Sequence, residues 1–445
     1  MSIPRNTVLA FVPQGVMLLT GIVTSIVTAR YLGPSGRGVL ALALLALGIL
    51  LLVADLGMSQ ALTYYVSGKR IGRSQALAFS TLAAGLLGGS AYAVALLLYP
   101  LLEPTLLQGV SLVIYSTALA AVVPMLFVQF WTRLRMAVGE FVQPAIMQSS
   151  VAIGTVLLAV MVLPVAKLGV AEFVVTLTLM HTLLAIIAFI AEVRASGWSW
   201  DFEAGFVREA GSYGLRSYIG GLVSYATLRI DAFILNAFGT NADVGRYTVA
   251  VTLGEKIWLI DSSLGQATMP EVVARDRRGA AELVAQANRM VILSATAVAV
   301  LLFVTAPWLI GLLYGEEFLA AVEPLRILLP GIVAYASGRV LLQYHIGQLG
   351  RPGAASGVMG LSAAVGITGY LTLIPRFGMN GAAWASTAAY ITVFIAGIVL
   401  FMRDSHLGLG ATILPRGADV RRLLQLVRDA WSAVASSSTD KSRSV

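Results

Sequence analysis

Eight ionisable side chains lie inside stretches that are otherwise strongly apolar: Asp55, His181, Arg229, Asp231, Glu255, Lys256, Asp261 and Arg339. A charge placed in a bilayer core is costly, so such residues normally face the interior of a helix bundle or a water-filled cavity. Arginine and lysine in that setting can hold an anionic group, and carboxylates can orient the cations or carry a proton. Covalent chemistry has no comparable support. The chain has three histidines, no cysteine and no GxxxxGK[ST] loop, so no metal site, activated nucleophile or phosphate loop is expected, and no cofactor.

Four of the eight lie close together in the chain. Arg229 stands 12 residues before a turn at Asn241, and Glu255 stands 14 residues after it. With a helical rise of ~1.5 Å per residue the two reach a similar depth, and Asp231 and Lys256 are matched in the same way. Interhelical ion pairs that only fix the bundle, and a cation that meets a ligand in a central cavity, both satisfy this spacing. Asp55 has no charged neighbour within ten residues on either side. It suits a pair with an arginine on another helix, or a protonatable group that couples an ion. His181 is alone on its span and reads more readily as a hydrogen-bonded packing residue than as a proton relay. Arg30, Arg37 and Arg135, near span ends, are expected to snorkel to the interface.

The elements that hold these residues must be membrane helices. Hydrophobic residues form 58% of the 445 and charged ones 12%, about half the ~25% usual in soluble proteins. Apolar runs long enough to span fall at roughly 7–30, 38–66, 75–100, 109–132, 142–164 and 168–193, then 213–238, 244–270, 289–314, 323–346, 353–374 and 379–402. Arg5 precedes a run too long for a cleavable signal, so the first span is expected to stay. With the N-terminus inside, inner loops and termini hold 21 Lys and Arg against six in the outer loops. That is the positive-inside bias, and it predicts both termini in the cytoplasm. It also accounts for the net charge of +8 without nucleic acid as a partner.

The second six spans repeat the first. Leu32-Gly33 and Gly38 reappear as Phe238-Gly239 and Gly245, Leu56-Gly57 as Leu264-Gly265, and Leu168-Gly169 as Phe377-Gly378, at offsets drifting only from 206 to 209. Turn signatures recurring in order point to duplication, and an even number of spans per copy makes the copies parallel. The expected organisation is all-α and polytopic, with about 12 transmembrane helices in two parallel six-helix lobes. Residues 1–194 form the first lobe, 195–212 a cytoplasmic or interfacial linker, 213–403 the second lobe, and 404–445 a cytoplasmic tail. In the linker Trp198, Trp200, Phe202 and Phe206 suit either a headgroup-level strip or a plain loop. In the tail Val420, Leu423, Leu424, Val427 and Trp431 share one helical face opposite Arg421, Arg422, Gln425 and Arg428, the pattern of a helix lying on an anionic leaflet.

TARYLGPSGRGVLALALLALGI (28–49) and DLGMSQALTYYVS (55–67) resemble the opening of bacterial polysaccharide-biosynthesis flippases of the MOP superfamily. The stretch from Tyr213 to Glu255 resembles the start of their second lobe, and LIPRFGMNGAAWAS (373–386) the start of their last span. The resemblance implies two six-helix lobes around a cationic cavity, alternating between inward and outward openings. It implies a lipid-linked, undecaprenyl-pyrophosphate-type oligosaccharide as substrate, with membrane lipids and polysaccharide polymerase machinery as partners, in a bacterial inner membrane. On that footing the cavity cations are Arg229, Lys256, Arg339, Arg133 and Arg216, in falling order. Asp231 and Glu255 would orient them, and Asp55 and Asp231 are the candidates for ion coupling. The first span carries no acid, unlike the multidrug-exporter branch of that superfamily. A multidrug or organic-cation exporter is nonetheless the first rival, and it predicts an acidic cavity lining. A polytopic glycan polymerase or glycosyltransferase is the second, and the short loops oppose it. A scaffold without transport is the third.

Overall fold

The computed structural model describes residues 5–200, 209–212, 214, 229–423, 425 and 428, with side chains described from residue 14 onward. Among the described residues every regular element is helical and no strand occurs. In chain order these are α1 (Arg5–Asp55), α2 (Met58–Ser67), α3 (Arg73–Ala83), α4 (Gly89–Leu102), α5 (Leu112–Ala120), α6 (Val122–Ala137), α7 (Val142–Val160) and α8 (Val170–Ser196). After the linker come α9 (Ile230–Phe238), α10 (Asn241–Gly254), α11 (Trp258–Ala274), α12 (Arg277–Tyr314), α13 (Val322–Gln343), α14 (Pro352–Ser405) and the short α15 (Leu409–Ile413). Most of the expected seventh span, together with Arg216, Phe202, Phe206, Leu424, Val427 and Trp431, lies outside the described residues.

Among the described residues eight helical stretches are long and apolar enough to cross a membrane, and the protein is a multi-pass membrane protein. Two of them are far longer than the ~20 residues that a ~30 Å hydrocarbon core needs. α1 has 51 residues and α14 has 54, and each is bent once, at Gly33 (φ 64°, ψ −179°) and at Gly378 (φ 53°, ψ −129°). An L residue with a side chain rarely adopts those angles, so each glycine ends one crossing and starts the next. These are two of the turns that the repeated Leu/Phe-Gly pairs predict. The expected eighth span also differs from a plain helix, because one 3₁₀ turn, Glu255–Ile257, separates α10 from α11. Among the described residues π-helical turns interrupt three more spans, at Ala84–Gly88, Met161–Val165 and Tyr344–Gln348. Pro164 lies within the second and has no N–H to continue an α-helical ladder.

The chain divides into two compact units. The first comprises Met1–Val251, Pro307–Pro324 and Ile367–Ala382. In it α1 packs along α7, α2 along α6, and α8 against α5, α6 and α7. Its interior holds fully buried Leu40, Leu62, Leu77, Phe130 and Phe173, while Leu97 and Leu101 are 80% and 70% exposed. The second comprises Thr252–Ala306, Leu325–Gly366 and Ala383–Val445, with Leu341, Tyr344 and Phe401 in its interior. Large apolar side chains standing outward would aggregate in water, and in a bilayer they need no cover.

Candidate functional site

In the first unit, the chain breaks after Asp55, where Leu56 (φ 43°) and Gly57 (φ 77°) both enter the left-handed region. A helix start leaves amide groups without partners, and Asp55 supplies one acceptor. Its Oδ1 accepts from the Ser59 amide at 3.0 Å and from the Ser59 hydroxyl at 2.8 Å. Gln129 Nε2 on α6 donates to the same hydroxyl at 3.0 Å. Arg133, one turn along α6 from Gln129, is exposed, and its charge acts on the Asp55 carboxylate. Asp55 is 5% exposed. The structure thus brings together Asp55 and Arg133, two residues the sequence singled out separately. It gives Asp55 a capping role beside its charge partner.

Asp231 is also buried, at 4% exposure, in the first turn of α9. Its Oδ2 accepts from the Tyr247 hydroxyl at 2.7 Å and its Oδ1 from the Ala232 amide at 2.8 Å. The tyrosine partner on α10 was not anticipated. Arg229 stands immediately before α9, in its N-cap position.

In the second unit, Arg339 Nε on α13 lies 3.4 Å from Asp261 Oδ2 on α11. The aspartate side chain is 2% exposed and that of the arginine 36%. The guanidinium also stands 5.8 Å from the centre of the Tyr335 ring, which packs with Trp258 and Tyr390. Arg339 is one of the five cations expected in the cavity, and Asp261 is its carboxylate partner. Glu255 and Lys256 share the half-buried 3₁₀ turn one step before this aromatic cluster. Arg216 lies outside the described residues.

His181 Nδ1 is 2.8 Å from the Leu177 carbonyl of its own helix, the packing arrangement that a lone histidine suggests. It lines an apolar cavity of about 220 Å³ with Leu47, Leu51, Met125, Leu177 and Thr178.

Two readings of arginines are corrected. Arg135 does not snorkel. It is 5% exposed and closes a ring with Arg73, Glu140 and Glu192 where α3, α6, α7 and α8 meet. Arg135 bonds Glu192 at 2.6 Å and Glu140 at 2.5 Å, Arg73 bonds Glu140 at 2.8 Å and also Glu192, and Trp131 Nε1 donates to Glu192 at 2.9 Å. Burial pushes the Glu140 carboxyl up, but its hydrogen bonds from Arg73 and Arg135 outweigh this and hold it below the usual range. Arg30, which is exposed, donates to the carbonyls of Leu313, at 2.8 Å, and Leu312, near the end of α12. Arg289, counted as a loop charge, is 6% exposed. Its Nε and Nη2 grip Asp419 at 2.7 and 3.1 Å and its Nη1 donates to the Ala411 carbonyl, strapping the start of the tail onto α12. Burial also raises the Asp419 carboxyl, and the bonds from Arg289 and from the Arg416 amide carry it below its ordinary value. The lone acids Glu192 and Asp419 were the only signals in the sequence. Nothing local shows which arginine they meet.

Among the described residues no group of three or more metal-ligating side chains occurs. Comparison with known proteins gives one family and a shared fold. The family described as "Polysaccharide biosynthesis protein" matches residues 27–323. No curated protein matches the chain in sequence. The solved lipid II flippase MurJ in an inward closed conformation is 12% identical, with a TM-score of 0.73 over 90% of each chain. An inward-facing multidrug resistance MATE family transporter of the MOP superfamily is 16% identical, with a TM-score of 0.71 over 90% of this chain and 98% of that one. A MOP superfamily transporter from Pyrococcus furiosus, described as having a binding pocket of reversed polarity, is 14% identical, with a TM-score of 0.64 over 90% and 94%. At these identities the likeness is one of fold.

Proposed function

The chain belongs to the polysaccharide biosynthesis protein family, and from that premise we propose that it translocates a lipid-linked oligosaccharide across the membrane. The match to that family over residues 27–323 carries the reading. The direction is from the inner to the outer leaflet of a bacterial cytoplasmic membrane, with both termini inside as the Lys/Arg bias predicts. The two sequence repeats act as lobes that rock about a site between them. The carried head is a diphosphate with sugars attached, and its charge must be met in a low-dielectric interior. Arg229, Lys256, Arg339, Arg133 and Arg216 are the cations proposed to meet it; Arg339 pairs with Asp261, and the charge of Arg133 acts on Asp55. The lipid tail stays in the bilayer, and no bond is made or broken.

The test is deletion in the native host followed by analysis of lipid-linked oligosaccharides and surface polysaccharide. The complete lipid-linked unit is expected to accumulate inside while polymer is lost outside. A truncated or missing unit would instead place the protein at an earlier, enzymatic step. In the complemented strain Arg339→Ala and Arg133→Ala are expected to reproduce the accumulation at normal protein levels. Full activity of both variants would remove these cations from the site. A multidrug exporter would leave the glycan untouched and change drug sensitivity.

A further inference from the structure

We propose that Gly38 and Gly245 form a latch that joins the equivalent turns of the two sequence repeats and parts when that end of the protein opens. The inference rests on the transport reading, since only a transporter needs the end to open. A Cβ on Gly38 would stand 1.8 Å from the carbonyl oxygen of Asn241, and one on Gly245 would stand 2.0 Å from that of Pro34. Each also falls close to the amide nitrogen of the opposite glycine, at 3.1 and 3.0 Å. In both cases the carbonyl belongs to the residue four before the opposing glycine. The contact therefore maps onto itself when the repeats are exchanged, as an isologous contact about a two-fold axis does. Only hydrogen fits at either position. Two backbones this close are joined by Cα–H···O contacts of the kind small residues permit between membrane helices.

Hydrogen bonds surround the crossing. Asn241 Nδ2 donates to the Gln108 carbonyl at 2.8 Å and to Asn236 Oδ1 at 2.9 Å, and Asn236 Nδ2 donates to the carbonyls of Leu106 and Gln108 at 3.2 and 3.1 Å. Gly109 (φ 77°) leaves the space the Asn241 side chain fills. Arg246 Nε donates to the Glu317 carbonyl at 2.9 Å. None of these contacts is a buried ion pair, whereas Arg135 and Glu192 lock the opposite end of the first-repeat helices with one. Backbone contacts and neutral acceptors can be exchanged for water, so the crossing can part without stranding a buried charge.

The chain contains no cysteine, so introduced thiols are unique. Tyr31 and Phe238, each 57% exposed on the two turns, take spin labels through Tyr31→Cys and Phe238→Cys. Pulsed electron resonance should show a short distance in the parent chain and a population moved to longer distances in Gly38→Leu and again in Gly245→Leu. Gly85→Leu, where nothing lies within 4 Å, should leave the distance unchanged. Unchanged distances in folded Gly38→Leu and Gly245→Leu would overturn the latch. A second measurement leaves both glycines intact. Val244 is buried at 0% exposure beside Gly245, and Val244→Cys should react slowly but measurably with a membrane-impermeant maleimide added outside. Gly38→Ala should speed that labelling roughly tenfold. No reaction while Phe238→Cys labels fully would mean that the contact never parts. Neither readout involves substrate, so a negative glycan phenotype would remove the transport reading without deciding the latch.

Discussion

The same dipeptide does two different things in the two repeats. At Leu56-Gly57 both residues are left-handed and the helix ends; at Leu264-Gly265 the helix α11 continues straight through. Gly57 is needed for its torsion and its missing side chain, since a Cβ there would lie 2.2 Å from the Gly214 carbonyl oxygen. Gly265 is needed only for the notch it leaves, where a Cβ would meet Gln343 Nε2 at 2.1 Å. Neighbouring residues explain the difference. Asp55 and Ser59 supply the acceptor and hydroxyl that satisfy a fresh helix start, and at the offset of 208 their places are taken by Ser263 and Ala267. Duplication copied the glycine and not its cap, so the backbone stayed helical in the second copy.

A second contrast lies where the fourth and sixth expected spans of each repeat meet. In the first repeat Arg135 and Glu192 hold the ends of α6 and α8 together within the four-residue ring. In the second repeat His345 Nε2 lies 3.2 Å from Asp404 Oδ2, just past the end of α13 and at the end of α14. An arginine keeps its charge at every physiological pH, whereas a histidine does so only when protonated. The first repeat is therefore tied by a guanidinium inside a four-residue ring, and the second by a single imidazole contact.

The largest expected effect comes from breaking the ring. Glu192→Ala leaves Glu140 as the one carboxylate of the ring for Arg73 and Arg135 and strips Trp131 Nε1 of its acceptor, and it should cost about 3–5 kcal/mol, read as a lower thermal midpoint in detergent; His345→Ala should cost clearly less. Equal losses would erase the contrast between the repeats. Next, Gly57→Ala should cost about 2–5 kcal/mol by combining a left-handed backbone with a clash against Gly214.

The acid dependence of Asp419 is a medium effect. Its carboxyl sits below the ordinary range when folded, so its stabilisation is present above the unfolded value and is lost as pH falls through the folded one. Melting followed from neutral pH down through the carboxylate range should show part of the acid loss disappear in Asp419→Asn. An identical acid profile in that variant would mean the strap adds nothing. The cap at Asp55 is smaller. Asp55→Ala should lower stability by about 1 kcal/mol, and Ser59→Ala by less. The smallest effect is expected at Gly265→Ala, where a flexible amide can move aside, and Gln343→Ala should rescue what is lost. A loss at Gly265 as large as at Gly57 would mean that both glycines serve the backbone.

Much of the fold was legible because a bilayer makes composition decisive. Spans, their order and the turns at Gly33 and Gly378 follow from apolar run length and from glycine after a large apolar residue. The family resemblance follows from the spacing of those same turns. The sites were legible only as a short list, because a charge inside an apolar run announces its cost and not its partner. That list contained Asp55, Asp231, Asp261 and Arg339. It missed Tyr247 as the donor to Asp231, and it assigned Arg135 and Arg289 to water and headgroups. In each case the partner stands on another helix, 16 residues away for Asp231 and Tyr247 and 130 away for Arg289 and Asp419. Helix rotation and packing, which no periodicity in a uniformly apolar span can report, bring them together. The sequence by itself determined that this chain must live in a membrane as a duplicated set of helices. Only the tertiary structure decided which acid each of Arg135, Arg289 and Arg339 meets, because pairing depends on facing and facing is settled by packing.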